Sequence, residues 1–196
     1  MTQPHAHDGL NSASQSPTHV ARDSHALVIE PMIWGHSDAV LDIERASFGA
    51  DAWTEGQFWS ELGAPAELKQ YIVAVVDDSV VGYAAVQFIA PEAEVLTVAV
   101  QPAWRGAGIA SALVAELETL ARGRRCELMH LEVEQSNSAA RGLYTHLGYA
   151  ESGLRPNYYG RGRDAVLMSK SIAGFGRGTG DGAEGDDQAT RRESHD

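Results

Sequence analysis

A chain of 196 residues with 27 Asp and Glu against 15 Lys and Arg is long enough for one domain with a proper core, and its net charge of −12 argues against nucleic acid as a direct ligand. The single cysteine, Cys126, excludes an internal disulfide and makes a reduced, cytoplasmic setting the expectation. No apolar run is long enough to span a bilayer, and the first residues lack the basic-then-apolar pattern of a signal peptide.

Residues 1–26 are polar and rich in His, Ser, Gln and Asn, and read as a disordered leader; His5 and His7 have nothing to hold them as metal ligands. Ala26 to Met32 reads as a strand. Asp38 to Ser47 reads as an amphipathic helix with Val40, Leu41, Ile43 and Ala46 on its apolar side. Thr54 with Gln57 predicts the capping box of a second helix, packed by Phe58, Trp59 and Leu62, and Phe48, Gly49 and Trp53 suggest a structured loop before it. Tyr71 to Val76 and Val80 to Phe88 flank a turn at Asp77-Asp78-Ser79, the signal of a hairpin. The next strand spans Val95 to Val100, where Leu96, Val98 and Val100 alternate with smaller residues, and Pro102 ends it because it cannot donate to a ladder.

Gly106 and Gly108 follow, allowing a tight turn and close approach of a ligand to the backbone. Ile109, Ala112, Leu113, Leu117, Leu120 and Ala121 then fall at helical spacing up to Gly123. A glycine turn opening a helix is a phosphate site, because the first amides lack internal partners and carry the positive end of the helix dipole. No Gly-Lys-Ser/Thr ending makes it a P-loop, and the third glycine of a dinucleotide-binding fingerprint is absent. Leu128 to Val133 reads as a strand. Ser136 is placed to cap a helix carrying Ala139, Ala140, Leu143, Tyr144 and Leu147, with Gly148 as its stop. Tyr149 to Gly153 and Ala165 to Ser171, joined by a loop over Leu154 to Gly162, complete a sheet. Residues 173–196 turn Gly- and Asp-rich and read as a disordered tail. Charge is uneven: residues 27–104 hold 12 acidic against 2 basic residues, and residues 105–172 hold 7 against 9.

Arg105-x-x-Gly108-x-Ala110 resembles the pyrophosphate loop of the GNAT superfamily of N-acetyltransferases. Further motifs agree in order: Leu131-Glu132-Val133-Glu134-Gln135-Ser136-Asn137, Leu143-Tyr144, Leu147-Gly148-Tyr149, Tyr158-Tyr159 and Asp164-Ala165. Over residues 27–172 they make the chain similar to the RimI branch, the ribosomal-protein-alanine N-acetyltransferases. The resemblance implies an α/β fold, with a mixed, mostly antiparallel seven-stranded sheet, helices on both faces, and acetyl-CoA bound where two parallel strands splay apart. It implies transfer of acetyl from acetyl-CoA to a protein α-amino group, the N-terminal alanine of a small-subunit ribosomal protein, with no metal and no membrane partner.

The resemblance gives Glu132 the role of base, Tyr144 that of acid, and Asn137 a contact to the coenzyme. A carboxylate can take a proton from the amine directly or through a water, and a phenol of pKa about 10 can protonate a departing thiolate of pKa about 8.5. Backbone groups of Val98, Ala99 and Val100 are expected to pair with the pantetheine amides, and the amides of Arg105, Gly106, Ala107, Gly108, Ile109 and Ala110 to hold the pyrophosphate. Cys126 is read as a small core residue, and His130 and His146 as structural, with His130 on the sheet face of Glu132. An α-amine of pKa about 8 is easier to deprotonate than a lysine of pKa about 10.4, by roughly 3 kcal/mol, which suits a single carboxylate base. Where the branch usually has Arg this chain has Glu134, and where it usually has Glu this chain has Arg163; the two reversals compensate if their strands are neighbours. Two other readings stand beside this one: acetylation of a small amine such as a polyamine or an antibiotic, and a non-catalytic coenzyme A-binding module.

Overall fold

Alternating apolar residues in the strands send side chains to both sides of one sheet, and helices cover them. The computed structural model describes residues 26–173 apart from 64 and 66, and apart from the side chains of 61 and 62. The expected leader with His5 and His7, the expected tail and the Leu62 side chain therefore lie outside the described residues, save for Ala26 and Ala173 at the margins. Seven strands are present among them: β1 (Leu27–Pro31), β2 (Lys69–Val76), β3 (Ser79–Ile89), β4 (Glu92–Val100), β5 (Leu128–Glu134), β6 (Ala150–Arg155) and β7 (Ala165–Ser171). Their order is β1-β2-β3-β4-β5-β7-β6, and β4 with β5 is the one parallel pair. Asp77 and Asp78 both take positive φ, 47° and 59°, so β2 and β3 join through a two-residue turn whose twist matches that of the strands.

On one face, α1 (Ser37–Phe48) and α2 (Glu55–Leu62) pack Val40, Leu41, Ile43 and Phe58 on Val73, Val80, Tyr83 and Ala99. The expected capping box starts α2: the Gln57 amide donates to Thr54 Oγ1 at 3.3 Å, and the Thr54 amide to Gln57 Oε1 at 2.9 Å. Ala46 is exposed, contrary to the expected apolar side of α1, and Glu44 is buried instead. Helical spacing from Val40 and Leu41 puts residue 44 on the buried stripe and turns residue 46 away.

On the other face, α3 (Ile109–Gly123) sets Ile109, Leu113, Val114, Leu117 and Ala121 against Ile72, Ala84, Val95, Val100 and Leu131. Its buried Glu118 is held by Lys170 at 2.7 Å and Arg122 at 3.0 Å. Cys126 is buried, and its thiol donates to the Glu92 carbonyl at 3.2 Å. α4 (Ser138–His146) begins at a cap that differs from the expected Ser136. Asn137 Oδ1 accepts from the Ala140 amide at 3.0 Å, while the Ser136 hydroxyl turns back to Glu134 Oε1 at 3.0 Å. Gly148, at φ 90°, stops the helix as expected.

The feature that makes a site is the parting of β4 from β5. They pair only from Glu92↔Leu128 to Val95↔Leu131. There β4 carries a bulge: Val86 opposes Val95 and Ala85 opposes Thr97, leaving Leu96 as the extra residue. A bulge bends its strand and adds twist. Beyond it β4 stays with β3 to Val100, β5 stays with β7 to Glu134, and a gap opens between them. The bulge also corrects the alternation expected of Leu96, Val98 and Val100. The extra residue shifts the phase, so Val95, Val98 and Val100 pack toward α3 while Leu96 falls out of the set.

Candidate active site

Two cavities open in this gap. The larger, of about 630 Å³, is bounded by Val98, Ala99 and Val100, by Arg105, Gly106, Gly108, Ile109, Ala110 and Ser111, and by Asn137, Ala139, Ala140, Leu143 and Tyr144 of the facing helix. Nine of the ten residues expected to meet the coenzyme thus meet one space; Ala107 is exposed and outside the lining. Gly106 and Gly108 have φ of 79° and 82°, a conformation strained for any side chain, and a Cβ added at either would touch nothing within 4 Å. The first bond of α3 runs from the Ala112 amide to the Gly108 carbonyl at 3.0 Å, so the amides of Ile109, Ala110 and Ser111 have no partner within the helix. Arg105 folds back, its Nε donating to the Val100 carbonyl at 3.2 Å, so that carbonyl is already engaged.

The smaller cavity, of about 300 Å³, lies on the other side of the splayed strands. Its lining includes Glu44, Phe48, Asp51 and Trp53 from α1 and the segment after it, Leu96 and Thr97 at the bulge, Glu132 and Glu134 of β5, and Tyr159 and Arg163 between β6 and β7. Burial alternates along β5, so Glu132 points away from the core that holds Leu131 and Val133, and His130 shares its face. The Glu132 side chain is 14% exposed and ion-paired with Arg155, whose guanidinium also lies over the Tyr158 ring at 5.4 Å. Tyr159 donates to the Glu132 carbonyl at 3.3 Å, and the Tyr158 hydroxyl bonds to the carboxylate, which holds that phenol above its ordinary range. His130 Nε2 lies 3.2 Å from Glu92 Oε2 without a hydrogen bond of good geometry, and His146 is exposed at the end of α4.

Tyr144 stands where the two spaces meet, since it lines both, together with Phe48, Val98, Asn137 and Ala140. Its ring packs edge-on against Tyr149 with centroids 5.8 Å apart. Burial alone pushes its phenol up to about 12, so it keeps its proton throughout the neutral range. Asn137 spends Oδ1 on the helix cap and still borders both cavities.

The two charge reversals meet. β5 and β7 are neighbours, and Arg163 grips Glu134 with two bonds, Nε to Oε1 at 3.0 Å and Nη2 to Oε2 at 2.8 Å. The guanidinium holds the Glu134 carboxyl below its ordinary range. Other groups of this cavity escaped the sequence reading. Glu44 is buried, yet its carboxylate accepts from the Trp53 amide at 3.0 Å and from the Tyr83 hydroxyl, which in turn lies 3.4 Å from Thr97 Oγ1. The available signal was an acid on an apolar helical stripe. For Arg155 no spacing relates it to Glu132. Among the described residues no three His, Cys, Asp or Glu side chains gather as metal ligands, and no helix is long and apolar enough to cross a membrane.

Comparison with known proteins places this architecture. Residues 37–149 match the family described as the acetyltransferase (GNAT) family. An N-alpha-acetyltransferase RimI from Mycobacterium tuberculosis is 33% identical over 154 residues, covering 76% of this chain and 94% of that protein. A ribosomal protein bS18-alanine N-acetyltransferase of Escherichia coli is 32% identical over 139 residues, 69% of this chain and 90% of its own. The crystal structure of the ribosomal-protein-S18-alanine N-acetyltransferase from Escherichia coli superimposes with a TM-score of 0.69 at 28% identity, covering 79% of this chain and 99% of that one. With more than half of its length inside the family match and its fold shared with such an enzyme, this chain belongs to the GNAT family and is an acetyl-transferring enzyme.

Proposed function

We propose that the enzyme moves an acetyl group from acetyl-CoA to the α-amino group of a protein N-terminus, with the N-terminal alanine of a small-subunit ribosomal protein as the acceptor, and that it works in the cytoplasm. The observation that carries this reading is the shared wall at Tyr144, between a cavity bounded by the end of β4, the glycine turn and the start of α3 and one with four carboxylates in its lining. The first fits a pantetheine diphosphate. The gap leaves the β4 edge beyond Val95 unpaired by β5, the helix offers unpartnered amides, and the glycine turn leaves room where a side chain would stand. Val98 and Ala99 would hold the pantetheine arm, Gly106 to Ala110 the phosphates, and Asn137 the arm from across the gap. Acetyl-CoA supplies the thioester.

The second cavity fits a cationic amine, with Glu44, Asp51, Glu132 and Glu134 against the one cation Arg163 in its lining. Glu132 takes the ammonium proton, directly or through a water, leaving the nitrogen lone pair free to attack. Arg155 and Tyr158 fix the carboxylate that does so. Tyr144 holds a proton beside the point where the sulfur must depart; burial keeps the phenol protonated at neutral pH and also makes it a weaker acid, so the proton passes only as charge builds on the departing sulfur. The surplus of carboxylates supports a second reading, in which a polyamine is the acceptor. Coenzyme release with an Ala-Arg peptide, the same peptide blocked at its N-terminus, a polyamine and no acceptor separates these readings. Release with the free peptide alone is expected. Release with the polyamine alone would move the assignment to small amines, and release with none would leave the protein-acceptor reading without support.

A further inference from the structure

One guanidinium joins three separate segments at the acceptor cavity. Arg163 lies in the connection from β6 to β7, Glu134 at the end of β5, and Asp51 in the short turn Gly49–Asp51 between α1 and α2; all three line the cavity. Two donors of Arg163 go to Glu134, and Nη1 reaches Asp51 Oδ2 at 2.8 Å as well as the Tyr159 carbonyl at 3.1 Å. The two ends of this bridge are anchored very differently. On the sheet side, Glu134 pairs with Ala165, and the Gln135 amide donates to the Asp164 carbonyl at 2.9 Å, so β5 and the Arg163 loop form one body. On the helix side, the turn buries no residue and its bonds are local: the Gly49 amide donates to the Arg45 carbonyl, the Ala52 amide to the Gly49 carbonyl at a long 3.3 Å, and the Trp53 amide just beyond it to Glu44 Oε1 at 3.0 Å.

We infer that Arg163 is a strap that holds the turn between α1 and α2 against the sheet, and so fixes the Phe48 and Trp53 walls of the acceptor cavity. It is a positioning residue that governs acceptor binding. The function of the strap rests on the reading of this cavity as the acceptor site, while its mechanical part does not. The Asp51–Arg163 contact is solvent-accessible on both sides, 55% and 40% exposed, so its effect is modest and weakens as salt rises.

Charge inversion tests this. In E134R/R163E the pair between β5 and the loop survives with its signs exchanged, but the group facing Asp51 becomes negative. Adding D51K turns that repulsion back into attraction. Hydrogen exchange at the Ala52 and Trp53 amides reads the turn directly and needs no turnover. In the inverted double variant their exchange should quicken about two- to fivefold, the range an exposed ion pair supports. The acceptor KM should rise by a similar factor and outpace any change in kcat, and acetyl-CoA affinity should hold. The triple variant should restore both exchange and KM. In the wild type, raising salt from about 0.05 to 0.5 M should mimic the double variant, and D51N should lose that salt response. Equal exchange at Ala52 and Trp53 in all variants would overturn the strap, as would a triple variant that fails to recover. If exchange follows the charges while acceptor KM does not, the strap stands and the acceptor assignment of the cavity falls.

Discussion

The two cavities that share Tyr144 are built by opposite means. The side proposed for the coenzyme takes a strand edge, a glycine turn and helix amides from within one stretch of chain, Val98 to Ser111, and closes it with a face of α4. The side proposed for the acceptor takes charged side chains from α1, the turn after it, β5 and the β6–β7 connection, and ties them into ion pairs and hydrogen bonds. Main-chain recognition tolerates most substitutions and fails only where a backbone conformation is lost. Side-chain recognition can be retuned one charge at a time. A family that keeps its donor while changing its acceptor is expected to divide its site in this way.

Each variant below is a way to break one half without the other. The largest effect belongs to the shared wall. Tyr144→Phe keeps the ring packing and removes the proton, and turnover should fall about 10²-fold or more while acetyl-CoA affinity is little changed. Because burial raises this phenol to about 12, its protonated form persists at higher pH, and wild-type turnover should show no loss attributable to Tyr144 from pH 7 to about 10. An alkaline limb near pH 10 that disappears in the Phe variant would contradict that environment. Next is Gly108→Val, which forces a β-branched residue to φ 82° at a cost of about 1–3 kcal/mol and puts its methyl groups where the phosphate is to sit. Calorimetry should find acetyl-CoA affinity at least about tenfold weaker.

Glu132→Gln acts on the other half. Near pH 7, kcat/KM should fall about tenfold, with coenzyme affinity intact, and the defect should shrink toward pH 9 because an α-amine of pKa about 8 is by then already neutral. A defect constant across that range would mean that Glu132 positions the acceptor. The smallest effect expected is none. A chain of residues 25–173 should keep the melting temperature and acetyl-CoA affinity of the full protein, and a large drop in either would show that the domain is wider than residues 27–172.

The same division explains what could be read from the sequence. The glycine turn, the helix behind it and the strand before it are consecutive, so local spacing was enough to find them. Glu134 and Arg163 could be matched because each departs from a pattern and because β5 and the strand that follows Arg163 are neighbours. Glu132 carries no local mark of its partner, since Arg155 reaches it only through the pairing of β6 with β7 and β7 with β5. Asp51 joins Arg163 across the cavity, a contact that no periodicity encodes. The phase of β4 failed for a related reason: a bulge is one residue in a register, visible only once β3 is laid beside it.

Leu96 can also be seen as a spelling device. With one letter removed, β4 would oppose β3 without interruption, its side chains beyond residue 95 would keep their faces and their partners on β3, and nothing would bend it away from β5. The parallel ladder could then zip toward Val100 and both hollows would be lost at once. The catalytic cleft is in this sense a reading-frame error preserved in three dimensions. It tolerates rewriting of the words on either side, but not a change in their count.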